Sequence, residues 1–100
     1  MVYYPLRFIW DVETSEANVQ RRGFDFGAAS LIFDGLVLER DDLRRDYGER
    51  RVVAVGIAAG EYLTVVYTYR NSARGAVRRI ISARRSNKRE RRNYDKAFAP

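Results

Sequence analysis

The clearest pattern in the chain is the alternation over Tyr62–Arg70. Leu63, Val65, Tyr67 and Tyr69 fall on one side, and Thr64, Val66, Thr68 and Arg70 on the other. A period of two predicts a strand, with the first set facing a core and the second half-exposed. Arg51–Ile57 reads as the strand before it, joined through a short connection at Ala59-Gly60. Val77–Ala83 reads as the strand after it, reached through a turn over Asn71–Gly75. Leu36–Arg40 is a further short strand, and Asp41–Gly48 a charged, solvated loop. Tyr3–Trp10 is rich in aromatic and β-favouring residues and predicts a first strand, which Pro5 makes an edge or irregular one.

Helical spacing governs two other regions. Asp11 is the expected N-cap of a helix running to Arg22, with Glu13 and Glu16 early, Arg21 and Arg22 late, and Gly23 placed to close it. Asp25 caps a second short helix through Phe33, whose Phe26, Ala29, Ile32 and Phe33 form a core stripe. Asn87 and Glu90 form a capping box, so a last helix is expected from about Lys88. Its apolar anchors are Tyr94, Ala97 and Phe98 alone, which predicts a weakly held, mobile helix. Hairpins in sequence, two N-terminal helices and one C-terminal helix predict a small single α+β domain over 1–100 with an antiparallel sheet.

Charge divides this chain into unlike parts. From Arg70 to Lys96 there are eleven Lys/Arg against Glu90 and Asp95, whereas residues 1–69 hold eight Arg and eleven acidic residues. A polyanion or acidic partner at the C-terminal end is the expectation. With no Cys and no His, the chain has no thiolate nucleophile, imidazole base, Ser-His-Asp triad or His/Cys metal site. No cofactor or metal is expected. Apolar runs fall short of a membrane span, and the opening MVYYPLRFIWD lacks the pattern of a signal peptide, so the expected location is cytoplasmic.

Candidate chemistry therefore rests on arginine. Arg51, Arg70 and Arg79 fall on or near the ends of consecutive predicted strands, with Glu49 just before the first. In a meander they converge on one sheet face. Arg79 shares its predicted face with Val77, Ile81 and Ala83, so its charge needs either an internal partner, Glu49, or a phosphate. Both readings stay open at this point. Guanidinium forks match phosphate oxygens and stabilise charge developing at phosphorus, but they do not accept protons at neutral pH. RNA cleavage here needs another base for the 2′-hydroxyl. Glu49 is the best-sited candidate, ahead of Tyr67, Tyr69, Tyr94 and Lys88. Asp41-Asp42 reads as part of the solvated loop rather than as a metal pair.

FIWD at Phe8–Asp11, Asn18, Gly23-Phe24 with Phe26, and AASLIFD at Ala28–Asp34 resemble the opening of the BrnT family. ERRVVAVG at Glu49–Gly56, VVYTYR at Val65–Arg70, RIISARRSNKRER at Arg79–Arg91 and Tyr94 resemble its second half. The resemblance implies a RelE-like fold and a type II toxin that cleaves RNA and arrests translation. It also implies a BrnA-like ribbon-helix-helix antitoxin whose complex with the toxin binds operator DNA. Residue by residue, Glu49 and Arg51 match the family's E-x-R, Arg70 the Arg of its YTER, and Arg79 and Arg84 the arginines of RIISAR. Thr14, Arg21-Arg22 and Tyr69 depart from the family's Lys, Lys-His and acidic residue, and Asn71–Val77 makes a longer loop.

The combined expectation is a metal-independent ribonuclease with Glu49, Arg51, Arg70 and Arg79 at the reacting phosphate. Arg84, Arg85, Lys88, Arg89 and Tyr94 are the expected RNA-binding residues on the basic C-terminal element. The alternative is a non-catalytic basic module that binds nucleic acid or protein, with the arginine cluster serving structure alone.

Overall fold

The computed structural model describes residues 7–73 and 75–99. Strand β1 (Phe8–Ile9) leads into helix α1 (Val12–Arg22), helix α2 (Phe26–Ser30) and a single 3₁₀ turn, Leu31–Asp34. Strands β2 (Leu38–Asp41), β3 (Arg51–Ala58), β4 (Glu61–Ser72) and β5 (Gly75–Arg85) follow, and helix α3 (Lys88–Phe98) closes the order. The Tyr3–Leu6 part of the first predicted strand lies outside the described residues, as does Arg74 of the turn between β4 and β5.

The sheet order is β1-β5-β4-β3-β2. It is antiparallel except at one edge, where β1 lies parallel to β5 through Phe8 opposite Arg78 and Ile9 opposite Arg79. The expected α+β domain with an antiparallel sheet is therefore present, and the parallel β1 edge is an addition to it. A parallel pair needs a long crossover, and the helices and three strands between β1 and β5 supply it.

Local rules explain the helix ends. Asp11 accepts the amide of Thr14, Asp25 accepts that of Ala28, and Gly23 closes α1 at φ 85°. The second helix gives way to the 3₁₀ turn after Ser30, earlier than the sequence suggests, although Ile32 stays on the core stripe.

One face of the sheet, the front, packs against α2 and the 3₁₀ turn. Its core joins Phe26, Ala29 and Ile32 to Val52, Ala54, Leu63, Val65, Tyr67, Ile80 and Ala83. The back face is more buried than its composition suggests. Thr64, Val66 and Thr68, expected to be half-exposed, are all buried, whereas Tyr69 is exposed. Buried hydroxyls need partners. Thr64 shares a hydrogen bond with Ser86 at 2.7 Å, and Thr68 donates to the Arg50 carbonyl at 2.6 Å.

The last helix is held more firmly than its three apolar residues predict. Its capping box is complete, and the buried Glu90 also accepts a bidentate pair from Arg84 at 2.7 and 2.9 Å. Tyr94 is buried, donates to the Leu36 carbonyl at 2.9 Å, and meets Tyr62 edge-on. Tyr62 in turn donates to Asp95 at 2.7 Å. One strand position tolerates only glycine: a Cβ on Gly56 would lie 2.8 Å from Ile32 Cβ and 3.1 Å from Val37 Cγ1. Gly56→Ala is expected to cost about 1–3 kcal/mol in urea unfolding through overpacking. Gly35→Ala, whose Cβ would have no neighbour within 4 Å, is expected to leave the midpoint within error.

Candidate active site

The β3–β4–β5 register sets Arg51 opposite Thr68 and Thr68 opposite Arg79. Arg70, two residues beyond Thr68, emerges on the same back face. The three arginines and Glu49 meet Asp11 and Thr14 around a cleft of about 240 Å³, whose lining is completed by β5 at Ile80 and Ile81. The expected convergence of Glu49, Arg51, Arg70 and Arg79 is what the structure shows. The β4–β5 pairing slips between Val66 and Tyr67: Val66 pairs Ser82 but Tyr67 pairs Ile80, leaving Ile81 as an extra residue. Ala83 consequently joins the front core and does not share a face with Arg79 as the simple alternation implies.

Glu49 holds two of the arginines. Its Oε2 accepts from Arg70 NH1 at 2.8 Å, and its Oε1 from Arg51 NH2 at 3.4 Å. Arg70 above all, with Arg51, holds the Glu49 carboxyl below the ordinary value of 4.5. Glu49 does not pair with Arg79, so the internal-pair reading of Arg79 fails. Arg79 is half-buried and makes no hydrogen bond or ion pair among the described residues. Arg51 also stacks on Tyr47, 4.1 Å from the ring centroid, and its Nε is buried without a hydrogen-bond partner. Tyr47 carried no signal in the sequence beyond its place two residues before Glu49.

The loop that presents Tyr47 and Glu49 is built around a buried acid. Asp42, expected to be solvated, is buried, and it accepts from Arg44 Nε at 2.8 Å and NH2 at 2.7 Å. Among the described residues no cluster of three acidic side chains is arranged for a metal.

The weaker base candidates lie elsewhere. Tyr67 and Tyr69 point to the front, where Tyr67 donates to Glu39. Burial and that bond push the Tyr67 hydroxyl well above its ordinary value. Beside them Arg78 lies under Phe33 and Tyr67, 5.3 and 5.1 Å from the ring centroids, a role the sequence did not disclose. Tyr94 is a buried residue of α3, and Lys88 begins that helix beyond the far end of β5. Of the expected RNA-binding residues, Lys88 and Arg89 are exposed, Arg84 is engaged by Glu90, and Arg85 pairs with Glu61 at 3.3 Å. Asp11 is the carboxylate in the cleft that sequence reading treated only as a helix cap.

A family model described as "Ribonuclease toxin, BrnT, of type II toxin-antitoxin system" matches residues 10–90. The chain belongs to the BrnT family. The matched span holds every residue of this BrnT cleft and ends before Tyr94. Comparison with curated proteins gives no match. As a BrnT-family member the protein is a type II toxin of ribonuclease class, with RNA as substrate and an antitoxin as partner. Among its described residues, no helix is long and apolar enough to cross a membrane.

The loop acid of this BrnT chain gives a pH prediction. Arg44 lowers Asp42 from 3.8 to about 2. A depressed folded value means the stabilisation is complete above the ordinary aspartate range and is lost as pH falls from there toward 2. Asp42→Asn is expected to remove that portion of the acid-unfolding profile, followed by circular dichroism, while lowering stability at pH 7.

Proposed function

We propose that this protein cleaves RNA without a metal, arrests translation in the cytoplasm, and is neutralised by a BrnA-like ribbon-helix-helix antitoxin whose complex with it binds operator DNA. The observation that carries the catalytic part is the meeting of Arg51, Arg70 and Arg79 in one cleft with Arg79 unpaired among the described residues. A half-buried guanidinium with no hydrogen-bond or ion-pair partner among the described residues favours an anion in the cleft. Three guanidinium groups in one cleft, two of them also held by Glu49, suit the non-bridging oxygens of a phosphodiester and the charge that builds on them in the transition state.

The roles divide accordingly. Arg79 binds the reacting phosphate directly. Arg51 and Arg70 flank it, spaced by Glu49, which acts on the arginines because both of its oxygens are already engaged. RNA is the substrate because its 2′-hydroxyl is an internal nucleophile. The exposed Lys88 and Arg89 on α3, together with Arg85, guide the RNA backbone by long-range attraction. A cleft whose donors are guanidinium groups disfavours a bound cation, which supports chemistry without metal.

One observation favours the competing reading of a non-catalytic basic module: Glu49 occupies two of the three arginines internally. Purified protein in excess EDTA is expected to cut single-stranded RNA, leaving 2′,3′-cyclic phosphate ends. Arg79→Ala is expected to slow this at least about 10²-fold, the scale of losing one transition-state donor. Its unfolding midpoint should barely move, because Arg79 has no hydrogen-bond or ion-pair partner to lose among the described residues. Intact RNA both on its own and in a translating extract would overturn the proposal and leave the binding module.

A further inference from the structure

Two carboxylates line the cleft, and the structure treats them differently. Both oxygens of Glu49 accept from arginine. Asp11 is held by one oxygen only: its Oδ2 accepts the Thr14 hydroxyl at 2.6 Å and the Thr14 amide at 3.1 Å. Its Oδ1 has no hydrogen-bond donor among the described residues. Thr14 therefore fixes the rotamer and leaves one oxygen of an exposed carboxylate lining the same cleft as Arg79.

We infer that Asp11 is the proton acceptor of the reaction, taking the 2′-hydroxyl proton of RNA on Oδ1. This rests on the ribonuclease reading of the cleft. In the step, the 2′-oxygen loses its proton to Asp11 and bonds to phosphorus while the bond from phosphorus to the 5′-oxygen breaks. The leaving 5′-oxygen takes a proton from a water molecule, and the hydroxide so formed takes the proton back from Asp11. The products are a 2′,3′-cyclic phosphate and a 5′-hydroxyl, and no oxidant, reductant or metal enters.

The electrostatics agree with the geometry. Thr14's hydroxyl and amide, and more weakly Arg79, hold Asp11 below 3.8. Arg79 of β5 faces it, and Arg51, Arg70 and Glu49 lie across the cleft. It is thus ionised and able to accept a proton throughout the neutral range.

The helix cap makes the inference testable. Asn caps helices about as well as Asp, so Asp11→Asn removes the acceptor while keeping α1. Asp25→Asn makes the same change at the cap of α2, away from the cleft, and serves as the control. With wild-type protein and a short RNA, Asp11→Asn is expected to lower kcat by about 10²–10⁴-fold with KM and the thermal midpoint little changed. Asp11→Glu should recover part of the activity lost in Asp11→Asn, and Asp25→Asn should keep the wild-type kcat. Binding of a non-cleavable 2′-deoxy analogue should be unaffected in Asp11→Asn. A wild-type kcat in Asp11→Asn, or equal losses in Asp11→Asn and Asp25→Asn, would overturn the inference alone. No cleavage by wild type, on naked RNA or in extract, would overturn the ribonuclease reading beneath it.

Discussion

The pairing of β4 with β5 slips by one residue at Val66 and Tyr67, and the placement of the chemical groups on the sheet follows from that slip. Below it, Ile80 and Arg78 face the front while Arg79 faces the back. Above it, Ala83 returns to the core and Arg84 turns toward Glu90 of α3. Without the extra residue at Ile81, strict alternation would put Ala83 and Arg79 on one face, and either the core or the cleft would lose its register. The bulge lets one strand serve a packed front at both ends and a charged back at both ends.

Charge has to be managed around this strand. Three guanidinium groups at one patch of sheet repel, and Glu49 relieves the two nearest it. On the front, Arg78 meets no carboxylate among the described residues and lies instead against the faces of Phe33 and Tyr67, whose rings offer a weaker attraction. At the far end Arg84 and Arg85 are matched by Glu90 and Glu61. The excess positive charge of the C-terminal part is thereby left mainly on the exposed surface of α3.

Much of the fold was legible in the chain because its signals are local. Asp11, Gly23, Asp25 and the Asn87–Glu90 box mark helix ends by contacts within a few residues, and Ala59-Gly60 marks a hairpin in the same way. The gathering of Arg51, Arg70 and Arg79 was legible because a meander makes neighbours of consecutive strands. What stayed hidden depends on distant partners. The parallel β1 edge, the slip in β5, the burial of Asp42 and the tyrosine and carboxylate contacts that hold α3 are set by elements far along the chain. Asp11 showed its capping role because Thr14 is three residues away. Its place beside Arg79 arises only because β1 lies against β5.

The cleft has no histidine and no group poised near neutrality. Its cations are guanidinium groups and its two carboxylates are held below their ordinary values, so its charge is constant across the neutral range. A site built this way has no internal off-switch. Modest acidification cannot silence it and modest alkalinity cannot sharpen it. Control has to come from outside the domain, by a lid that another molecule supplies or by the amount of protein made, and the cell must keep such a lid in stock for as long as the domain persists.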